Sequence, residues 1–446
     1  MNRIRRNAIP SLLHGSGRWR ALLVLCFIFS TTAQAAEDTR QLRERVEQLE
    51  QRILELESNT VLSEPETQVK RIEVYVDDQG IEHDTPVPGS HKVVTYQRER
   101  VYRRQTISEK IDEAMEEAAS RSVQLGVDAA IILQNAQNTR GADERTDGNS
   151  YQLASADLYF TAGIAQYTIF FADIVGLSGT TPDAEIDGLT LTNGYTARLV
   201  EQNGLNLREA WLMTELWNQQ LSLVMGRLDL TNYFDSNVAA NDETSQFISD
   251  ALVNNPALGL SENGSGMTLI YDPRSVFNLK LGYQQSTSSA TSLSDSLFWL
   301  AEAGLRLNPL QMGEGNYRIW YREDNTGSGS SAWGISLDQK LLPGVTLFAR
   351  QGSAKDSTAS RRDEYYSGGL MFDAGLGFNP EDSFGIGYAY SRPAGGKKEN
   401  LGEFFYNLAM TAKMRLSFHL TYLLEERATS ERDGYVVSGM RLQASF

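Results

Sequence analysis

The chain has 446 residues, 41 basic and 57 acidic side chains for a net charge of −16, and a single cysteine. The acidity argues against a nucleic-acid partner, and one thiol excludes an internal disulfide and a thiolate metal site. The four histidines are scattered, and no G-x-S-x-G elbow, Walker loop or H-E-x-x-H occurs, so neither an enzyme constellation nor a cofactor is legible.

Arg3, Arg5, Arg6, Arg18 and Arg20 surround or precede the apolar run Ala21 to Phe29, and Ala33-Gln34-Ala35 supplies the small residues before a cut at Ala35/Ala36. Residues 1–35 therefore read as an export signal. The run is too short to span as a helix, and Leu25 before Cys26 is not the small residue of a lipobox. Arg5-Arg6 suggests a twin-arginine route as the alternative to general secretion. Removing five of the 41 basic residues leaves 36 against 57 acidic ones, a net −21, and takes away the cysteine.

In residues 36–60, Leu42, Val46, Leu49, Ile53 and Leu56 recur at spacings of four and three, a short coiled-coil seam. Arg45 and Arg52 fall at g positions and Glu50 and Glu57 at the following e positions. Pairing of two copies through 39–57 gives a homo-oligomer; a single amphipathic helix on its own domain is the plainer alternative. Residues 61–121 read as a small periplasmic linker segment. Strands are expected at Arg71 to Val76 and Lys92 to Tyr102, and a helix capped by Ser108 runs to about Ser120. A solvated spacer is the first reading of this segment and a peptidoglycan contact the second.

From 122 to 446 the pattern is strand after strand. Sixteen are expected, at 123–135, 150–163, 165–176, 206–216, 220–229, 265–272, 275–286, 297–308, 315–324, 330–341, 345–354, 365–376, 382–392, 402–412, 414–424 and 435–446. Connections after odd strands run about 5 to 35 residues and those after even strands about 1 to 6, the alternation of external loops and periplasmic turns. Met414, Leu416, Phe418, Leu420, Tyr422 and Leu424 oppose Arg415, Ser417, His419 and Thr421; Phe277, Leu279, Leu281 and Tyr283 oppose Asn278, Lys280 and Gln284. In the last strand Val436, Met440, Leu442, Ala444 and Phe446 oppose Val437, Gly439, Arg441, Gln443 and Ser445. A charge on a lipid face at mid-depth costs about 2 to 4 kcal/mol, so each polar set faces the lumen. A terminal Phe closing such a strand resembles the recognition signal of outer-membrane barrels. The expected class is all-β: a sixteen-stranded antiparallel transmembrane β-barrel enclosing a wet, charged channel rather than a packed core, behind a short coiled-coil helix and a small periplasmic segment.

The longest connection, 230–264, has too much internal structure for an idle loop. Asn241 or Asp242 can cap a helix through about Leu252, with Phe247, Ile248, Ala251 and Leu252 as its apolar stripe and Asn254-Asn255-Pro256 as its stop. Folded into the lumen, this loop would rest that stripe on the wall and turn Asp242, Glu243 and Gln246 across the hole. Arg208, Arg227, Arg318, Arg322 and Arg350 are the wall candidates of opposite sign. Facing charges across a narrow waist make a transverse field, and polar groups there replace part of a solute's hydration.

Glu209-Ala210-Trp211-Leu212, Gly226-Arg227-Leu228-Asp229, Thr231-Asn232-Tyr233-Phe234-Asp235, Ala240 through Phe247, and Leu252-Val253-Asn254-Asn255-Pro256 together resemble the carbohydrate-selective porin family of the OprB type. The match is strong over about 205–270 and looser over 123–446. The resemblance implies a sixteen-stranded outer-membrane barrel that admits sugars and other small hydrophilic solutes. The coiled coil departs from the simplest family members and leaves their subunit arrangement open for this chain.

Each candidate has a duller explanation. Asn241, Asp242 and Glu243 also suit a helix cap, and Arg227 and Asp229 a structural pair at a strand end. Trp211, Trp320, Tyr233 and Phe234 are candidate sugar-ring faces, whereas the interface girdle is favoured for Trp217. His419, with no triad partner legible, reads as a wall residue. The leading expectation is a porin for passive diffusion of carbohydrates, embedded in outer-membrane lipids with its N-terminal segment in the periplasm. The alternatives are a general or cation-preferring porin and a barrel-anchored envelope tether; an enzyme ranks last.

Overall fold

The computed structural model describes residues 68–76, 82–83, 91–99 and 123–446, except 142–146, 166, 288–295, 310–311, 374–378 and 427–431. The expected signal, coiled coil and helix at 108–120 lie outside the described residues. The chain divides into two compact units, residues 1–99 and 100–446. In the first, β1 (Gln68–Val76) pairs antiparallel with β2 (Glu82–His83) and β3 (His91–Glu99), which places the two expected strands in one small sheet.

The second unit is a closed antiparallel barrel of sixteen strands: β4 (Val123–Arg140), β5 (Ser150–Ala165), β6 (Thr168–Gly179), β7 (Gly204–Leu216), β8 (Leu221–Leu228), β9 (Gly264–Tyr271), β10 (Phe277–Gln285), β11 (Leu297–Leu307), β12 (Gly315–Asp324), β13 (Ser330–Leu342), β14 (Val345–Asp356), β15 (Asp363–Phe372), β16 (Ser383–Arg392), β17 (Lys398–Thr411), β18 (Met414–Glu426) and β19 (Arg432–Ser445). Each overlaps one expected strand. β19 closes on β4, and the chain end is tied in by Phe446 N–H donating to the Val127 carbonyl at 2.9 Å. Closure leaves no free edge, so every ladder group finds a partner. Outward side chains such as Leu281, Ile319, Ile386, Phe418 and Leu420 are exposed apolar groups, the belt that hydrocarbon requires.

The inner wall is not polar throughout. Two long connections, 180–203 and 229–263, turn inward and pack against the wall, and inner wall positions are apolar where they meet them. Tyr195 and Ile248 from the loops pack with Ile132, Leu153 and Val175 of the wall. Phe234 and Leu258 join Phe171, Trp211, Phe298 and Trp320. Phe247 and Leu252 join Phe348, Leu401 and Phe405. At these contacts the loops carry the apolar partners that the alternating inner wall lacks by itself, and each packs against the wall as a small core. Inward glycines make the room: a Cβ on Gly387 would lie 2.9 Å from the Leu252 side chain, and one on Gly385 3.0 Å from the Phe247 ring.

Candidate functional site

The polar inner wall grips the peptide groups of both loops, acids taking N–H and cations giving to C=O. On β17, Glu403 accepts from the Ile248 and Ser249 N–H groups at 2.8 and 3.0 Å. Four residues earlier, Glu399 accepts from Leu189 at 2.5 Å and Thr190 at 3.2 Å. Glu302 on β11 accepts from Asp235 N–H at 2.7 Å, and Glu209 on β7 from Asp229 N–H at 2.9 Å. In the other direction, Lys280 donates to the Tyr233 carbonyl at 2.6 Å, Arg322 to that of Ala257 at 3.2 Å, Asn407 to that of Ser245 at 3.0 Å, and Arg441 to those of Glu243 and Gln246. Buried peptide groups away from ladder partners are costly, and hydrogen bonds to charged groups contribute about 1.5–3 kcal/mol each.

This grip explains why the expected helix from 241 to 252 does not form. Within that stretch only α1 (Asp250–Val253) is helical, starting after Ser249 without a side-chain cap and ending at Asn254. The N–H groups of Ile248 and Ser249 and the carbonyls of Glu243, Ser245 and Gln246, all of which a helix would need for its own ladder, are taken by Glu403, Arg441 and Asn407. The apolar stripe nevertheless rests on the wall as expected.

Arg350 is the most heavily used candidate. Its side chain is fully buried, with Nε donating to Asp235 Oδ2 at 2.7 Å and Nη2 to the Asp235 carbonyl and Asn241 Oδ1 at 3.0 and 3.1 Å; Nη1 serves the Ala240 and Leu252 carbonyls. Asp235 also accepts from Trp320 Nε1 at 2.7 Å. Arg322 is bound to the loop carbonyl of Ala257 and lies over the Phe298 ring. Arg318 pairs with Asp338 at 2.8 Å nearer the short-turn end of the bore. Asp242 accepts from Thr244 N–H and Ser245 Oγ, and Gln246 accepts from the N–H groups of Asn241 and Asp242, so both brace the loop itself. Trp211, Trp320, Tyr233 and Phe234 are buried in the packing, whereas Trp217 is exposed in the turn 217–220.

Arg227 lies on the outer face with exposed Met225, between the inward, buried Val224 and Leu228, and donates across the strand to the Leu207 carbonyl. It does not join the bore. The reason is that the inner positions of β8 are apolar, which hides its parity. Arg208 and Glu209, adjacent in sequence, both point inward, because a bulge opposite Asp173/Ile174 inserts one residue and re-aims the strand.

Where β5, β6 and β7 meet the two loops, a charged array results. Arg198, from the shorter loop, binds Asp157 of β5 at 2.8 Å and Glu243 of the longer loop at 2.5 Å. Arg208 binds Asp229 at 3.0 Å and faces Asp173 at 3.9 Å; Glu209 receives Asn232 Nδ2 at 2.9 Å. Five carboxylates thus surround two guanidiniums. Glu243, 15% exposed, and Arg208, 11%, are the most open members among the ion-paired side chains. Such an array offers alternating donors and acceptors to hydroxyl groups. Asp157, Asp173 and Arg198 escape sequence reading: the last is a lone arginine in a loop with no period.

His419 is not alone. Its Nε2 lies 2.8 Å from Ser417 Oγ and its Nδ1 2.8 Å from Glu403 Oε1, the connectivity of a nucleophile, base and orienting acid. All three are buried, and both Glu403 oxygens also hold loop N–H groups, so the chain clamps the loop and leaves no approach to Ser417. It was invisible in sequence because its members sit on two strands.

The loops also bind each other. Gly194 N–H donates to the Ile248 carbonyl at 2.6 Å and Asp250 N–H to that of Leu191 at 3.1 Å. Burial pushes the Asp250 carboxyl up to about 6, against the hydrogen bond from Asn254 and helped by the charges of Asp183 and Glu243. A raised acid contributes stability that is present below its unfolded value and lost as pH rises through about 6. Hydrogen-exchange protection at 248–253, corrected for intrinsic rate, is expected to fall on the order of tenfold between pH 4 and 7, and Asp250→Asn to remove the step.

Comparison with known proteins accords with this geometry. A family model described as carbohydrate-selective porin, OprB family, matches residues 277–446. The chain superposes on the high-pH structure of Pseudomonas putida OprB with a TM-score of 0.62 at 16% identity, covering 74% of this chain and 96% of that one. It superposes on the outer membrane channel DcaP of Acinetobacter baumannii with a TM-score of 0.50 at 11% identity, covering 73% and 97%. An uncharacterized protein of Aquifex aeolicus is 25% identical over 221 residues, 50% of this chain and 63% of that protein, so the match spans less than two thirds of its length. These likenesses show a transmembrane β-barrel of porin fold, and the resemblance to the OprB family extends through the C-terminal strands.

Proposed function

We propose that this porin-fold barrel is an outer-membrane channel for passive diffusion of carbohydrates and similar small hydrophilic solutes, with the array around Arg208 and Glu243 as its waist. The observation that carries the reading is the pair of in-folded loops, gripped by their backbones, which leave charged side chains of both signs at the junction with β5–β7. Donors and acceptors placed in this way exchange hydrogen bonds with a polyol's hydroxyls without holding it tightly; passage requires weak binding, on the order of the 4 kcal/mol that corresponds to millimolar affinity. The fold and the family likeness point to a channel rather than an enzyme, and the N-terminal segment would stand in the periplasm.

A second reading, a cation-preferring porin without sugar selectivity, is favoured by the excess of carboxylates in the same array. Swelling of proteoliposomes with mono- and disaccharides, together with zero-current potential in a salt gradient, separates the two. Under the first reading sugars enter faster than other neutral solutes of equal size and reduce ion conductance. Entry by size alone, with cation preference untouched by sugars, would establish the second.

A further inference from the structure

We infer that Arg198 sets the width and the ion preference of the waist; the assignment rests on the channel reading above. Arg198 belongs to the shorter in-folded loop and is buried between two carboxylates from different elements. Its Nη1 donates to both oxygens of Asp157 on β5, at 2.9 and 2.8 Å, and to Ser155 Oγ at 3.3 Å. Its Nε donates to Glu243 on the longer loop, and its guanidinium lies 4.4 Å from the Tyr195 ring centroid. The planar fork makes these contacts together, which an ammonium cannot.

The surrounding geometry directs that bond toward the bore. The wall grips on segment 241–246 go mostly to backbone carbonyls, from Arg441 and Asn407, whereas Arg198 holds a side chain, and holds it from the neighbouring loop. The loops meet closely here: a Cβ on Gly194 would lie 2.7 Å from Glu243 Cβ. Glu243 is the more open end of the pair, so the position of its carboxylate defines one edge of the passage. Arg198 pins that edge to β5 through Asp157 and neutralises both acids. Without it, two carboxylates face each other across the space the guanidinium filled; they repel, the edge withdraws, and their charge is presented to passing ions.

The test uses the purified full chain in planar bilayers. Arg198→Ala should raise single-channel conductance about twofold and move the zero-current potential toward cation selectivity, with Arg198→Lys between it and the wild type. Adding Asp157→Asn and Glu243→Gln to Arg198→Ala should bring selectivity back toward the wild type and reverse the part of the widening that repulsion drives. A folded Arg198→Ala barrel with wild-type conductance and potential overturns the assignment. If that variant does not fold, Glu243→Ala, which keeps the Arg198 to Asp157 pair but removes the carboxylate that forms the edge, must still widen the bore, and unchanged conductance there overturns it equally. A wild type that conducts no ions overturns the channel reading and this assignment together; conduction with unchanged variants overturns this one alone.

Discussion

Arg350→Ala should free the longer loop and cost about 3–5 kcal/mol of stability, the range for stranding the partner of a buried ion pair. The side chain reaches three loop carbonyls, the Asn241 amide and the Asp235 carboxylate from one position on β14. Its removal leaves Asp235 buried with Trp320 Nε1 and Asn255 Nδ2 as its remaining side-chain donors. Arg350→Lys should recover only part of the loss, since a point charge cannot serve five acceptors spread around a plane. Two measurements bear on this: the denaturant midpoint of the folded barrel, and bilayer recordings, in which the freed loop should appear as larger and noisier conductance. A quiet wild-type trace from a folded Arg350→Ala barrel would show that the apolar packing alone holds the loop.

Phe247→Ala tests that packing. The ring is fully buried, 4.9 Å from the Phe405 centroid and edge-on to it, and 5.5 Å from that of Phe348. Truncating a buried phenylalanine costs about 3–5 kcal/mol, part from lost burial and part from the cavity left behind. Here the rigid wall behind Gly385 and Gly387 cannot collapse to fill the space, so the upper half of that range is expected. Because the barrel ladder is untouched, the loss should fall on the loop. Exchange protection at 245–253 should drop while that of β14–β17 stays, and Phe247→Leu should lose about a third as much. A uniform loss across barrel and loop would mean that the loop is part of one cooperative unit with the wall.

The strands were legible because lipid imposes a period of two on one face and leaves a local trace: Ile319 and Tyr321 alternate with Trp320 and Arg322 within six residues. The loop interior was legible only in part. Phe247, Ile248, Ala251 and Leu252 announced an apolar face, but whether its backbone would coil was decided by Glu403 and Arg441, more than 150 residues away. The inward turn of 180–203 left no local trace, since its anchor, Glu399, lies 210 residues from Leu189. Arg322 and Arg350 face the loops from the wall, and their guanidiniums serve loop carbonyls, a use that nothing in charge pattern distinguishes from facing a solute. Arg208 and Glu209 illustrate the opposite case: strict alternation would separate them, and one inserted residue sets them side by side.

Because the wall recognises peptide groups of the loops more than their side chains, holder and tool are chemically separate. Positions such as Glu243 and Gln246 are held through their carbonyls by Arg441, and any residue offers the same carbonyl. The side chain of Glu243, which meets Arg198, can therefore be exchanged without losing the wall's grip on this carbonyl, whereas that of Gln246 also braces the loop. A barrel built in this way could be retuned toward a different cargo by rewriting a few letters of one insert.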